Sequence, residues 1–534
     1  MFFEKITKEN IVKIGDFLKN NTYSCEFTPA NLLLWSNMFN TKFSMLGDLL
    51  CLRYEEANGP IFALLGAVTA DSVKYVIDYC LENNIVPKIS LNEEQIAVIG
   101  DLGQNYDVFE SEKSAEYIYS TEALATLSGK KYHSKRNHIA AFSKQYDWTF
   151  EELTPENSHE ILSISDNWIT DNNKTNEASI NTDREGIEML INNFAAFRAR
   201  GGIVRVDGKA VAFCLGTPIS DTVFDVNFEK ALPEYKGAYA VINREFAAYL
   251  SDFEFINRED DLGLAGLRKA KLSYRPIKIL KKYIIMPKFI REQAINLYLT
   301  TFTEETKETA ESLFNKFFLH NTLLKLQDKK IVSMLFAIDS AIGKTEAAYI
   351  YGAATDKAHR NKGYMKELID YAAKNYDALY LKPASSELFE FYSKLGFVTN
   401  FYKNEINGTA KSNNVNTQKI DNVVDFVRVR NALSPEISVS LCDTALEYIL
   451  ENYIAVTDSL ENPQNFALFT VENDTVIINE ALSKSGLEPF LEEICCKYNC
   501  KSFAGYTVGA DIPCGMLRTN VELPPKMYMG LDID

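Results

Sequence analysis

The stretch "AAYIYGAATDKAHRNKGYMKELIDYA", Ala347 to Ala372, places residues able to hold a phosphorylated ligand at one turn. A strand-like run delivers the chain into Ala353, Ala354 and Thr355. His359, Arg360, Asn361 and Lys362 come next, and Gly363 precedes Tyr364, Met365 and an amphipathic helical pattern. Glycine lets the backbone pass close to a ligand, and the free amides of the first helical turn carry partial positive charge. Such a turn suits a diphosphate, with Arg360 and Lys362 adding direct charge. A plain strand-turn-helix connection is the simpler reading of the same residues.

Another concentration of charge is "GKKYHSKRNHIAAF", Gly129 to Phe142, which sets Lys131, His133, Lys135, Arg136 and His138 together in a chain of formal net charge -17. A helix starting near Ser128, capped by its side chain, puts Lys131, Lys135 and His138 along one face and Arg136 to the side. These cations can receive phosphates. They can equally pair with Glu259, Asp260 and Asp261 of "NREDDLG", or form a solvated face. From Leu267 to Lys288 the chain carries basic residues, Arg268 among them, and no acid; a solvated helix face leading into a strand accounts for that run.

The elements that must position these groups read as an α/β plan used more than once. "GGIVRVDGKAVAFCLGTPI" and "LLKLQDKKIVSMLFAIDSA" are each a hairpin with an Asp-bearing turn, leading to a third strand, a Gly-bearing turn and a helix. "CLRYEEANGPIFALLGA", "ADSVKYVIDYCLENNI" and "PKISLN" read as hairpin, helix and strand, half of the same plan. "FALFTVENDTVIINEAL", "GLEPFLEEICCKYN" and "KSFAGYT" repeat that half near the end. The polar stretch Lys403 to Asn422 has linker composition. The expected organisation is a degenerate half-unit at 1–126, a unit at 127–288, a further unit at 289–405 and a small accessory unit at 423–534.

With 534 residues, 46% of them hydrophobic, the chain is ordinary globular material with several cores. Its acidity argues against a surface devoted to DNA or to anionic membranes. No apolar run is long enough to span a bilayer, so no integral membrane segment and a cytoplasmic location are expected. Nine scattered cysteines suit a reducing compartment. Cys495, Cys496 and Cys500 read as helix cysteines, and no metal site is expected from local spacing.

The residues Arg360, Gly363 and Met365 resemble the pyrophosphate loop of the GNAT acyltransferase superfamily, with Met365 replacing the usual small residue. "FYSKLGF", Phe391 to Phe397, resembles the end of the family's signature helix. The resemblance implies a coenzyme A loop built from Ala353 to Thr355 and His359 to Met365, with acetyl-CoA as co-substrate. It also implies Tyr392 as the acid that protonates the leaving thiolate. A small-molecule or peptide amine would be the acceptor. "LSGKKYHSKRNHIAAF", "PEYKGAYAVINREF" and "NREDDLGLAGLRKAKLSYRP" together resemble the catalytic domain of phosphatidylglycerol lysyltransferases and its soluble relatives. That resemblance implies two GNAT-like units in tandem and, for the lysyltransferase members, an aminoacyl-tRNA donor, which would place tRNA at the basic patch Lys131, His133, Lys135, Arg136, His138 and Arg268. The expected fold class is therefore α/β, tandem GNAT-like folds with mixed central sheets flanked by helices. The expected activity is N-acetyl transfer, with aminoacyl transfer or non-catalytic binding as alternatives.

Overall fold

A computed structural model describes residues 1–19, 23–100, 104–171, 177–412, 415–484, 486–531 and 533. The chain forms two compact units: Met1–Glu56 with Pro60–Lys288, and Phe289–Asp534 with the turn Ala57–Gly59.

Hairpins organise both units. Asp207 and Gly208, Asp328 and Lys329, and Asn473 and Asp474 form two-residue turns in which both residues have positive φ. That backbone matches the right-handed twist of the flanking strands, and Asp, Asn and Gly tolerate it. The hairpins Arg200–Val206/Lys209–Pro218 and Thr322–Gln327/Lys330–Ile342 are those expected from the repeated sequence plan.

In the first unit, one sheet runs in the order Glu4–Lys5, Lys42–Leu46, Leu49–Glu56, Gly59–Gly66, Ile89–Asn92, Lys282–Pro287, Tyr106–Glu110. The other runs Lys278–Leu280, Glu116–Ser120, Phe255–Asn257, Val223–Ala231, Lys209–Pro218, Arg200–Val206, Trp148–Glu152. The halves exchange strands. Glu116–Ser120 leaves the first half to lie against Phe255–Asn257, and Lys282–Pro287 returns from the second to lie between Ile89–Asn92 and Tyr106–Glu110. The position 126 expected to close the first half thus falls after a strand that belongs to the second sheet.

The second unit repeats the exchange within one sheet of twelve strands. Ile512–Thr519, last in sequence, inserts between Ala378–Leu381 and Val398–Thr409, while Val398–Thr409 extends on to pair with Ser502–Val508. The stretch from Lys403 expected as a linker therefore begins inside a strand, and 423–534 shares its sheet with 289–405. A buried ion pair marks the second half. Arg430 Nε and Nη2 donate to Glu480 Oε2 and Oε1 at 2.8 and 2.9 Å, and Arg430 Nη1 donates to the Val439 carbonyl at 2.8 Å. A buried guanidinium survives only with such saturation.

Lys88, just before Ile89–Asn92, is 4% exposed, and burial holds its ammonium down to about 7, with Glu56 opposing part of that effect. The unfolded chain keeps this proton far above pH 7 while the folded chain releases it. Stability is therefore lost as pH falls from the ordinary lysine range toward 7 and changes little below. Lys88→Met is expected to raise stability by a few kcal/mol at pH 6–7, at ~1.4 kcal/mol per pH unit of displacement, and to gain almost nothing near pH 10. Thermal melts across that range check it.

Candidate functional site

In each half of each unit, a parallel strand pair carries the central opening. Thr345–Thr355 pairs with Ala378–Leu381 only from Ala347↔Ala378 to Tyr349↔Tyr380, then runs on unpaired with it. Val223–Ala231 leaves Phe255–Asn257 after Asp225↔Asn257, Gly59–Gly66 leaves Ile89–Asn92 after Ala63↔Ser90, and Thr475–Ser483 leaves Ser502–Val508 after Ile478↔Gly505. The parting strands open a crevice at their carboxyl ends, where α/β sheets bind ligands. Bulges enforce the parting. Thr345–Thr355 holds an extra residue between Tyr351 and Ala354 opposite Met334–Phe336, at Gly352, whose φ is +57 and where a Cβ would lie 2.9 Å from Phe336. Val223–Ala231 holds one between Asp225 and Phe228 opposite Leu215–Thr217.

The helix starts beyond these openings differ. Tyr364–Ala372 begins at Gly363, φ 83, with no side chain capping its amides and nothing within 4 Å of where a Cβ would sit. Arg360, Asn361, Lys362 and Gly363 are exposed, His359, Tyr364, Ala353 and Thr355 half-buried, and Ala354 and Met365 buried. Asp356 braces the turn, accepting from the Ala358 amide at 3.0 Å and facing His359 Nδ1 at 2.7 Å, while Arg360 Nε donates to the Thr355 carbonyl at 3.3 Å. The contact with His359 holds the Asp356 carboxyl below its usual range. Tyr392, on the helix Ser386–Ser393, shares one core cluster with Met365, Leu381 and Phe397, and Ala353 packs against it. Burial pushes its phenol up to about 12. Tyr392 thus shares a core with the strand end at Ala353 and with Met365 of the helix that follows the turn. Glu346 lies at the far end of its strand, paired with Ala341, away from this opening.

The equivalent helix of the first unit, Ala238–Tyr249, also begins at a left-handed glycine without a side-chain cap, Gly237, φ 102. Here the approach is filled, since a Cβ would meet the His138 carbonyl at 2.9 Å and Phe142 at 3.3 Å. The helix over it is His133–Gln145, the basic stretch itself. In the remaining halves, Thr69 accepts from the Ser72 amide within a capping box, and the helix Glu488–Lys497 has a proline in its first turn.

His133–Gln145 starts later than expected, after the short turn Lys130–Tyr132, and Ser128 caps neither. Lys131, His133, Arg136 and His138 are exposed. Arg136 Nη1 donates to the Leu127 and Gly129 carbonyls at 2.5 and 2.8 Å, closing the end of the helix Thr121–Thr126. Lys135 Nζ stands 3.8 Å from the centre of the Tyr274 ring. Among the described residues, no ion pair joins Lys131, Lys135 or Arg136 to "NREDDLG". Asp261 is instead bound by Arg268 Nε at 2.7 Å and the Tyr117 hydroxyl at 2.6 Å, so Arg268 is committed to an acid.

The second-half opening of the first unit holds a buried polar cluster that local sequence spacing does not reveal. Glu116 accepts from Ser24 Oγ at 2.6 Å, the Cys25 amide at 2.8 Å and Asn257 Nδ2 at 2.6 Å, and pairs with Lys282 at 2.7 Å. Asp225 and Glu259 share the amides of Asn31 and Asn227. Burial holds Glu259 up to about 7 and Asp225 well above the carboxylate range. The only sequence signal was the acidity of "NREDDLG".

The family model described as phosphatidylglycerol lysyltransferase, C-terminal, matches residues 19–286. The chain belongs to this family. A second model, acetyltransferase (GNAT) domain, matches residues 287–399. A conserved protein of unknown function from Bacteroides thetaiotaomicron is 32% identical over 53% of this chain and 99% of its own, with a TM-score of 0.49. L-PGS from Bacillus licheniformis is 16% identical over 53% of this chain and 93% of its own, with a TM-score of 0.39. An uncharacterized protein from Mycoplasmoides gallisepticum is 27% identical over 188 residues, and the chain spans 56% of that relative's length. The chain is an acyltransferase-family protein with tandem GNAT-like folds. No helix among the described residues is long and apolar enough to cross a membrane.

The two glycine turns give opposite expectations on substitution. Gly237→Ala meets both an unfavourable φ and the His138 carbonyl and should cost about 2–4 kcal/mol, whereas Gly363→Ala meets only the φ and should cost about 1 kcal/mol. Equal losses in denaturant melts would contradict the filled and open environments.

Proposed function

We propose that the second unit transfers an acetyl group from acetyl-CoA to the primary amine of a small molecule or peptide. The observation that carries this reading is the Gly363 turn, where an open approach, uncapped helix amides and the cations Arg360 and Lys362 coincide. Its counterpart at Gly237 is covered. A diphosphate at Gly363 gains the partial charge of the first helical turn and direct ion pairing from Arg360 and Lys362. The thioester would then lie along the crevice beside Ala353 and Ala354, where the bulge frees the strand from regular pairing.

In the reaction, the amine nitrogen forms a bond to the carbonyl carbon, and the C–S bond breaks. The nitrogen loses a proton and the departing sulfur gains one. Tyr392, like any phenol, holds its proton through the neutral range; burial makes it a weaker acid than a free phenol, so the proton would pass only as negative charge builds on the departing sulfur. Arg360→Ala is expected to weaken coenzyme A binding by about 1.5–3 kcal/mol in calorimetry. Tyr392→Phe should lower turnover about 10²-fold with little change in cofactor affinity. Wild-type protein that binds no coenzyme A would end this assignment.

A second reading, aminoacyl transfer from charged tRNA by the first unit, is favoured by the exposed cations of Lys130–His138 together with the family assignment. Arg136 and Lys135 already serve the fold, so the exposed basic side chains available to phosphates are Lys130, Lys131, His133 and His138. Lys130→Glu with Lys131→Glu should abolish a tRNA gel shift that is itself lost at moderate salt, and leave the melting temperature unchanged. A shift that survives the reversal would remove tRNA from this surface.

A further inference from the structure

The buried cluster of the first unit contains two acids to which, among the described residues, no cation is bonded. Lys282 is paired by Glu116 and Glu26 at 2.7 and 2.6 Å, and Arg258 by Glu229 at 2.9 Å. Lys271 Nζ donates to the Arg258 and Asp260 carbonyls. Asp225 and Glu259 are left with the neutral amides of Asn31 and Asn227, which reach Asp225 Oδ2 and Glu259 Oε1 at 2.9–3.3 Å. Asp225 is fully buried, and among the described residues its Oδ1 has no hydrogen-bond partner. Lys271 lends both acids some opposite charge without bonding to either, and two carboxylates sharing only neutral amides still favour a proton or a bound cation between them.

A third group brings a cation ligand to the same place. Cys25, a free thiol 6% exposed, contributes a sulfur to the same spot, and one ligand atom from each of Cys25, Asp225 and Glu259 lies within 4.8 Å of the other two. We propose that Cys25, Asp225 and Glu259 form a binding site for a divalent cation of the zinc class. A thiolate with two carboxylates suits Zn²⁺ rather than Ca²⁺ or Mg²⁺, which take six or more oxygen ligands. Three protein ligands leave a fourth position for water or substrate. The supporting shell is present, since the amides of Asn31 and Asn227 orient the carboxylates as outer-shell donors do. Glu259 is further fixed by its own amide, which donates to Asn257 Oδ1 at 2.7 Å. Glu259 is only half-buried, which gives an ion a way in. The ligands come from three distant stretches, so no local spacing in the sequence announces them.

The test uses the full chain, stripped with a chelator and titrated with Co²⁺ as a spectroscopic probe, then with Zn²⁺ in competition. The expected result is one Co²⁺ per chain, displaced by Zn²⁺, with a sulfur-to-cobalt charge-transfer band. Cys25→Ser should abolish that band, and Asp225→Asn should weaken Zn²⁺ binding by more than the roughly 100-fold of an outer-shell change. Melting of each metal-free variant is compared with metal-free wild type to verify folding, and Glu259→Gln replaces Asp225→Asn if the latter does not fold. A band that persists in Cys25→Ser assigns the ion to other cysteines and overturns the proposal. Absence of stoichiometric uptake overturns it too, and leaves a proton shared by Asp225 and Glu259.

Discussion

The structure depends on parallel strand pairs that are cut short. A parallel ladder is ordinarily buried and continuous, and ending one inside a sheet leaves backbone groups that need other partners. Here bulges at Gly352 and at Val226–Asn227 turn the strands away from each other, so the sheets part and the crevices form. The exchanged strands Lys282–Pro287, Glu116–Ser120 and Ile512–Thr519 lie against the far side of each shortened partner and keep it within a sheet.

One geometry then receives different contents. The opening at Tyr349 and Tyr380 leads to an exposed, cation-flanked turn. The opening at Asp225 and Asn257 is lined with buried acids, and its helix start is roofed by His138 and Phe142. The basic stretch over that roof is thus largely architectural in its interior. Phe142 packs into the core, Arg136 closes a neighbouring helix, and Lys135 rests on Tyr274 beside the Arg258–Glu229 pair. An arginine bonded to carbonyls and a lysine on an aromatic face are stabilised without any acid in their own segment.

The sequence made the hairpins legible because Asp-Gly and Asp-Lys turns are local signals whose φ preferences are set by two residues. The Gly363 turn was legible for the same reason, since its glycine, cations and helix are contiguous. Tyr392 was singled out through a short contiguous motif, and the structure places it in the core with Met365 and Phe397. The exchanged strands and the cluster of Cys25, Asp225 and Glu259 were not, because strand order and the meeting of distant polar groups are decided by tertiary packing. Ser128 looked like a cap, and the turn Lys130–Tyr132 displaced the helix start beyond its reach. Lys403–Thr409 looked like linker because this end of the strand is polar and, past Lys403, is paired on one side only, by Ser502–Val508.

Strand exchange also bears on how such a chain is made. Ala378–Leu381 acquires its second neighbour only from Ile512–Thr519, near the end of the chain. A ribosome emitting the second unit therefore releases a half-finished sheet and must continue through more than a hundred further residues before that edge is closed. Contacts of such sequence separation make folding slow, and during the interval an unpaired edge is open to other strands. The nascent second unit therefore carries an open β-edge until that strand is made. Cutting it between its halves yields two pieces that each lack a strand, and joint expression of those pieces is the arrangement in which each can regain it.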